Sequence, residues 1–386
     1  MDSSNSNRFD HIAPVYDHEV KETIQELLVD PGFQHAVKYI IPDIDWDVFS
    51  EEMSRYQSKE DFQSGLVYQI IWALGRKVTA ALNSEGWENI EKDKEHVFLS
   101  NHRDIALDAG FLNIVRLEHE LPTTEIAIGD NLLIHPWIKK LVRLNKSFIV
   151  QRGTSMRQKL FASHELSEYI HYAINEKSES IWIAQREGRA KDADDRTQDS
   201  LLKMLAMTPD RGSFISNLKD LNIIPLSISY EYDPCDYLKA KEFQQKRDNP
   251  DFKKTQRDDL LNMEIGILGY KGRVMFRFGK CINDELDKIT EPDKRLQPGI
   301  VAEIIDREIH CNYEIYPCNY IAHDLLNEEK RFADKYTDVQ EEEFKEYLRK
   351  QISKIDLDYI DFDFAWNKML IMYSNILKNN LIAKGQ

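Results

Sequence analysis

No long apolar run is present in this sequence. The longest window without a charged residue, Phe62 to Gly75, has fourteen residues, whereas a membrane-spanning helix needs about 20. The first residues, Met1 to Asn5, also lack the basic start and apolar centre of a signal peptide. The sequence therefore predicts no transmembrane segment and a cytoplasmic location.

Cysteine, glycine and proline are also scarce, and acidic residues outnumber basic ones. The chain has only 4 Cys, 15 Gly and 12 Pro in 386 residues, and its cysteines show no metal-ligand spacing, so we expect reduced thiols. Lys and Arg total 51 against 67 Asp and Glu. The resulting net charge of −16 excludes a general nucleic-acid binder, because phosphate would repel it. Apolar residues make up 42% of the chain, which is enough for a folded core.

The hydrophobic pattern divides the chain into three regions and predicts an α/β fold. Residues 1–90 and 286–386 show helical spacing of apolar residues, as in Tyr16 to Val29 and Leu66 to Leu82. Between them, at about 91–285, short apolar runs alternate with helical stretches, which is typical of a layered α/β domain. The predicted strands are residues 96–100, 125–128, 147–150, 180–184, 223–229 and 271–279.

A histidine follows the first of these strands at its carboxyl end. His102 lies in the segment 100–108, which also contains Asp104 and Asp108. Ligand chemistry in open α/β sheets gathers at the carboxyl ends of strands, and a carboxylate can hold a histidine base in one tautomer. On one continuous helix, six positions would turn Asp108 away from His102. Asp108 can therefore reach His102 only if the segment bulges or the helix begins later, and Asp104 is the alternative partner.

Two other predicted strands end in arginine and glycine. Arg152 follows the strand 147–150, and a second loop follows the strand 180–184. Arginine offers a rigid fork of donors suited to phosphate, and glycine permits close backbone approach. Surface salt bridges at strand ends are the alternative interpretation. The candidate residues of the second loop are Arg186, Glu187, Gly188 and Arg189.

Together with an apolar strand that carries Pro225, these segments resemble the four ordered motifs of the glycerolipid (glycerol-3-phosphate and 1-acylglycerol-3-phosphate) acyltransferase family. The resemblance covers about residues 96–285. The family motifs resemble Asn-His-x4-Asp, Phe-Ile-x-Arg, Glu-Gly-x-Arg and a proline-bearing strand. Here five residues rather than four separate His102 from Asp108. The third motif also lacks a residue between glycine and Arg189, so Arg186 is an alternative to it.

The resemblance implies an O-acyltransferase with a layered α/β acyltransferase core. Such an enzyme moves a fatty acyl group from acyl-CoA or acyl-ACP (the acyl carrier protein thioester) to a hydroxyl of glycerol 3-phosphate or a lysophospholipid-type acceptor, in phospholipid biosynthesis. His102, oriented by Asp108 or Asp104, would take the hydroxyl proton, and the arginine loops would hold the acceptor's anionic head. No metal or organic cofactor is needed. The polar insert 190–201 resembles that of family members that use glycerol 3-phosphate, and this resemblance favours glycerol 3-phosphate as the acceptor.

Two rival functions fit the same residues. The altered spacing after His102 fits a non-catalytic lipid- or acyl-carrier-binding protein on the same fold, and His102 with water alone would make a hydrolase of acyl thioesters. An acidic stretch in the polar insert matches no calcium-binding loop, so we interpret it as a solvated charged loop. Its residues are Asp192, Asp194, Asp195 and Asp199.

Residues 131–160 contain seven basic residues and no acidic one. Pro136 predicts the start of a helix whose apolar half includes Trp137 and whose other half is basic. A basic amphipathic helix with tryptophan is typical of an element at a membrane interface. The segment Trp137 to Lys146 therefore predicts peripheral docking at the inner face of the membrane. Packing on the sheet and lining an acyl-chain tunnel are the alternatives.

Overall fold

The computed structural model of the protein describes residues 7–153, 155–208 and 212–386. The segment Met1 to Asn5, whose residues do not predict a signal peptide, lies outside the described residues. None of the helices formed by the described residues combines the length and the apolar character needed to cross a bilayer.

Helices dominate the N-terminal region, and short capping motifs separate them. The Asp30 carboxylate accepts a hydrogen bond from the N–H of Gly32 (2.8 Å), and Pro31 occupies the first helical position after it. The predicted helix 66–82 ends earlier, at Val78, because the chain then enters a strand. The α-helices are α1 (Asp17–Leu28), α2 (Pro31–Ile40), α3 (Trp46–Met53), α4 (Lys59–Phe62) and α5 (Tyr68–Val78), with a π-helical turn at Gln63–Val67 before the last.

Seven strands of the described chain form one sheet. They are β1 (Ala81–Glu85), β2 (Val97–Ser100), β3 (Glu125–Gly129), β4 (Ser147–Val150), β5 (Ile181–Ala184), β6 (Ile224–Tyr230) and β7 (Arg273–Phe278). Their spatial order is β1-β7-β6-β2-β5-β3-β4, and every neighbouring pair is parallel except β6 with β7. The sequence predicts six of them to within two residues at each end. It misses β1, because this polar edge strand lacks the apolar signal, and the sheet therefore begins before the predicted boundary at residue 91.

Helices pack on both faces of the sheet. Along β2, Val97 and Leu99 join the apolar core that contains α8, while Phe98 joins the core that contains α6. Since β2 is the middle strand, His102 lies at the centre of the carboxyl edge of the parallel strands. The helices of this region are α6 (Leu107–Glu118), α7 (Pro136–Leu144), α8 (Met156–Asn175), α9 (Asp199–Leu205), α10 (Phe214–Lys219), α11 (Asp236–Asp248), α12 (Gln256–Leu268) and α13 (Asn283–Leu286).

The C-terminal region is helical, in agreement with the sequence pattern. It consists of α14 (Gln297–Cys311), α15 (Pro317–Asn327), α16 (Asp338–Ile352) and α17 (Phe362–Ala383). Val301 and Ile305 of α14 join the core under the sheet that also contains α8, whereas the other three helices share an apolar cluster with α11. The region therefore packs directly on the α/β core.

The amphipathic helix α7 packs its apolar side inward. Trp137 and Leu141 join the apolar cluster of the N-terminal helices, where the Trp137 ring centroid lies 6.0 Å from that of Phe33. Lys146 is fully buried and forms an ion pair with Glu60 (2.8 Å). Protein therefore covers the side of this segment that was expected to face a membrane, and this corrects the predicted docking surface. The helix packs on the N-terminal helices because they offer it an apolar partner.

Candidate active site

His102 and Asp108 meet at the carboxyl end of β2. The Nδ1 of His102 lies 2.8 Å from the Oδ2 of Asp108. The two side chains can meet because residues 101–106 form a loop and α6 begins only at Leu107, so no continuous helix separates them. The His102 side chain is 14% exposed, and the Asp108 side chain is fully buried. With Nδ1 engaged, Nε2 is the ring nitrogen left to exchange a proton.

Three further donors hold the Asp108 carboxylate. The backbone N–H groups of Arg103 (2.7 Å) and Asp104 (3.0 Å) donate to Oδ2, and the hydroxyl of Tyr230 donates to Oδ1 (2.9 Å). Burial and the neighbouring Asp108 raise the pKa of the Tyr230 hydroxyl well above its usual value, so this group remains a donor. The carboxylate is thus fixed on both oxygens, and it fixes the imidazole in turn.

Asp104, the alternative partner, is turned toward the backbone instead. Its Oδ1 accepts hydrogen bonds from the N–H groups of Ala106 (2.9 Å) and Leu107 (2.8 Å), at the start of α6. Helix α12 packs closely on its other oxygen, since a Cβ on Gly266 would lie 2.5 Å from Oδ2. The structure therefore pairs His102 with Asp108 and gives Asp104 the role of ordering the loop between them.

Two neighbouring contacts fix the base of the loop. The Asn101 amide donates to the carbonyl of Ile228 and accepts from its N–H, both at 2.8 Å, which ties the end of β2 to β6. The Trp182 ring on β5 meets the His102 ring edge-on, with centroids 5.6 Å apart. The Trp182 Nε1 also donates to the hydroxyl of Ser100 (3.0 Å). The Trp182 ring thus limits the movement of the His102 imidazole on the side that faces the sheet.

Arg103 forms a buried ion pair with Asp195 of the loop that follows β5. The Arg103 guanidinium lies 2.8 Å from the Asp195 Oδ2, and the two side chains are 5% and 0% exposed. The hydroxyl of Tyr313 donates to the same oxygen (3.0 Å). Burial raises the pKa of Asp195, and Arg103 partly offsets that rise. The interpretation of the acidic stretch as a solvated loop is therefore wrong for Asp195. Arg103 and Tyr313, which are distant along the chain, contact its carboxylate and bury it.

The second and third motifs meet at the exposed surface. The Arg152 guanidinium lies 3.1 Å from the Glu187 carboxylate, and the two side chains are 44% and 66% exposed. The backbone N–H of Arg152 donates to Asp130 (3.1 Å), which anchors the strand end. Gly188 follows with a φ of +71°, which glycine adopts without strain. Because an ion pair this exposed contributes only about 0–1 kcal/mol, Arg152 can exchange Glu187 for another anion.

The two remaining arginines of the third motif are held differently. Arg189 donates to the Asn262 side chain on α12 (2.9 Å). Burial lowers the pKa of Arg189, but the nearby Cys235 and Asp233 raise it above its usual value. The Nε of Arg186 is buried and has no hydrogen-bond partner among the described residues. Arg189 therefore holds α12 in place, whereas the Nε–H of Arg186 can donate a hydrogen bond to a ligand.

Three residues of the site were not found from the sequence motifs. Tyr230 is the last residue of β6, one position beyond the predicted strand. Asn262 and Gly266 lie on α12, far along the chain from every motif. Their spacing of four residues places them on one face of a helix, and this was the only sequence signal available.

A group of side chains that could hold a metal ion lies elsewhere in the molecule. Within the ranges that the structure describes, only His323, Asp324 and Glu329 bring their ligand atoms close enough together for this. They lie at the end of α15, in the C-terminal helical region, and not among the residues around His102. The four cysteines are unpaired.

The chain is similar to a known protein family and to a solved structure. Residues 81–229 match the family model described as Acyltransferase, a span that runs from β1 into β6 and includes His102, Asp108 and both arginine loops. Among solved structures, the chain is similar to the 1-acyl-sn-glycerophosphate (LPA) acyltransferase PlsC from Thermotoga maritima. The identity is 12% and the TM-score 0.37, over 76% of this chain and 93% of that chain. No curated protein matches the sequence significantly.

Proposed function

Because residues 81–229 match the Acyltransferase family model, we propose that the chain is an O-acyltransferase of the glycerolipid acyltransferase type and acylates a hydroxyl of glycerol 3-phosphate or a lysophospholipid-type acceptor. The donor in this proposal is acyl-CoA or acyl carrier protein, the pathway is phospholipid biosynthesis, and no metal or organic cofactor takes part. In this proposal the catalytic domain comprises the sheet and its helices, and the protein acts at the inner face of the membrane. The contact of 2.8 Å between His102 and the buried Asp108 carries the proposal.

The proposed chemistry is direct transfer with His102 as general base. Its Nε2 takes the proton of the acceptor hydroxyl while the hydroxyl oxygen attacks the thioester carbonyl carbon. The tetrahedral intermediate then expels the thiolate, which takes the proton from Nε2, so that an ester and a free thiol leave. Asp108 stabilises the positive imidazole between these two steps, as a buried carboxylate on Nδ1 does in other histidine bases.

The acceptor's anionic head is assigned to the arginine loops. Arg152 and Glu187 form an exposed pair that a phosphate can open, Gly188 allows close backbone approach, and Arg186 has a buried donor without a partner among the described residues. Arg189 completes this set while it anchors α12. The loop that carries these groups is tied to His102 through the Arg103–Asp195 ion pair, so the head group and the base share one framework.

The test is release of free thiol from a long-chain acyl-CoA or acyl carrier protein thioester. The purified protein is assayed with glycerol 3-phosphate, with a lysophospholipid and with no acceptor, and the products are identified by mass spectrometry. We expect thiol release that depends on the acceptor, together with one new ester per thiol. Equal release without an acceptor, with free fatty acid as the product, would identify a thioester hydrolase and contradict the proposal.

A further inference from the structure

The first two turns of α8 project from the surface. Every residue in the range 155–161, here called the α8 tip, is exposed. Three of them are large and apolar, namely Met156 (83% exposed), Leu160 (58%) and Phe161 (69%). At 100° per residue they fall within about 140° of one another, on one half of the helix. Apolar side chains of this size rarely project together from a soluble surface without a partner.

The α8 tip is also basic, in a protein that is acidic overall. Arg157 and Lys159 lie exposed between the apolar residues, and the range 131–164 contains no Asp or Glu. Electrostatic forces at physiological salt fall off over about 8 Å. The local positive charge therefore decides what the tip attracts, in spite of the net charge of −16.

The tip borders the proposed site. Arg152, the exposed partner of Glu187, lies only three residues before Ser155. The backbone N–H of Arg152 donates to Asp130 (3.1 Å). The tip therefore directly follows the anchored strand end that carries Arg152.

We propose that the α8 tip docks the protein on an anionic lipid bilayer. This proposal rests on the proposed function, because docking would bring the entrance of the acyl-transfer site to the membrane surface, where long-chain acceptors and products reside. The apolar side chains enter the boundary between headgroups and acyl chains, and Arg157 and Lys159 contact the anionic headgroups. An acidic carrier protein would use the cations but would leave most of the apolar area uncovered.

The experiment is co-sedimentation of the full chain with vesicles, which needs no turnover. The vesicles contain either phosphatidylcholine alone or an equal mixture with phosphatidylglycerol. We expect the triple variant Met156→Ser/Leu160→Ser/Phe161→Ser to bind mixed vesicles at least about a hundredfold more weakly than wild type. Arg157→Glu/Lys159→Glu should lose at least about tenfold on mixed vesicles and little on neutral ones. These side chains are exposed, so both variants should keep the wild-type melting temperature.

Matched controls remove exposed groups of the same kinds from the C-terminal helical region. Val339→Ser/Tyr359→Ser/Ile382→Ser and Lys378→Glu/Lys384→Glu should sediment like wild type. Wild-type sedimentation of the tip variants, or equal losses in the controls, overturns the proposal. So does loss of transfer from acyl carrier protein with vesicle binding intact, because the tip would then receive the carrier. Failure of the proposed function appears separately, as absent turnover with short-chain soluble substrates in a wild-type protein that still binds vesicles.

Discussion

The His102 loop (residues 101–106) and the exposed Arg152–Glu187 pair, here called the Arg152 rim, both lie at carboxyl ends of strands. The structure nevertheless holds them in opposite ways. The Asp108 carboxylate is fully buried and accepts hydrogen bonds from His102, two backbone N–H groups and Tyr230. The Arg152–Glu187 pair is 44% and 66% exposed, and each partner is held to the other by one ion pair. One region is fixed before a substrate arrives, whereas the other can exchange partners.

This difference assigns separate kinetic roles to the two regions. A group that must transfer a proton benefits from fixed geometry, because its orientation then costs nothing when the reaction begins. A group that binds a charged head benefits from a weak internal partner that the ligand displaces. Substitutions in the His102 loop should therefore lower kcat, and substitutions in the Arg152 rim should raise the KM of the acceptor.

The largest effect is expected from His102→Ala. Loss of a general base typically lowers turnover by about 10²–10⁴, and the fold should survive because the side chain lies at the end of a strand and outside the apolar cores. Turnover is measured as acceptor-dependent thiol release, with the melting temperature as the control for folding. A purified variant that keeps more than roughly a third of wild-type turnover would refute the role of His102.

The next effect separates the two acidic residues of the loop. Asp108→Asn should lower kcat by about 10² or more, because the imidazole loses the buried charge that orients it and stabilises its positive form. Asp104→Asn keeps an oxygen for the N–H groups of Ala106 and Leu107, so we expect less than about a fivefold loss. The two variants are compared at saturating substrates. A larger loss from Asp104→Asn would mean that Asp104 is the functional partner of His102.

A smaller effect is expected from Arg152→Ala, and it should appear in KM. A hydrogen bond to a charged group contributes about 1.5–3 kcal/mol, and exposure reduces this, so the acceptor's KM should rise by about tenfold. The KM of the acyl donor and kcat should stay near wild type. Arg247→Ala is the matched control, since Arg247 forms a comparable surface pair with Asp361 (2.7 Å). Equal changes for donor and acceptor would indicate a structural role for Arg152.

The sequence predicts the buried strands well because burial on both faces leaves a local signal. Strand β2 is buried throughout and begins with three apolar residues, and six of the seven strands carry similar runs. The polar edge strand β1 has no such signal, and its place in the sheet depends on pairing with β7, far along the chain. The amphipathic pattern of α7 is also a signal from neighbouring residues in the sequence. It shows that one side is apolar but does not show whether lipid or the N-terminal helices cover that side.

The same limit applies to the candidate site. The motif spacing predicts a contact between His102 and Asp108 only if a loop separates them. The spacing alone does not decide whether Asp108 or Asp104 is the partner of His102. The partners that decide the geometry come from distant segments, namely Tyr230 on β6, Asp195 after β5 and Gly266 on α12. A motif identifies the residues that carry the chemistry, whereas the contacts that orient them depend on tertiary packing.

The smallest effect, and the sharpest test of the fixed loop, is expected from Tyr230→Phe. This change removes one of four donors to Asp108 without altering the ring, so kcat should fall by only about threefold to tenfold while KM stays unchanged. Tyr313→Phe is the matched control, because it removes a buried hydroxyl from Asp195 (3.0 Å) instead. Both variants should lose similar stability, but the control should keep kcat near wild type. If the two variants lower kcat equally, Tyr230 supports the fold and does not position the His102–Asp108 pair.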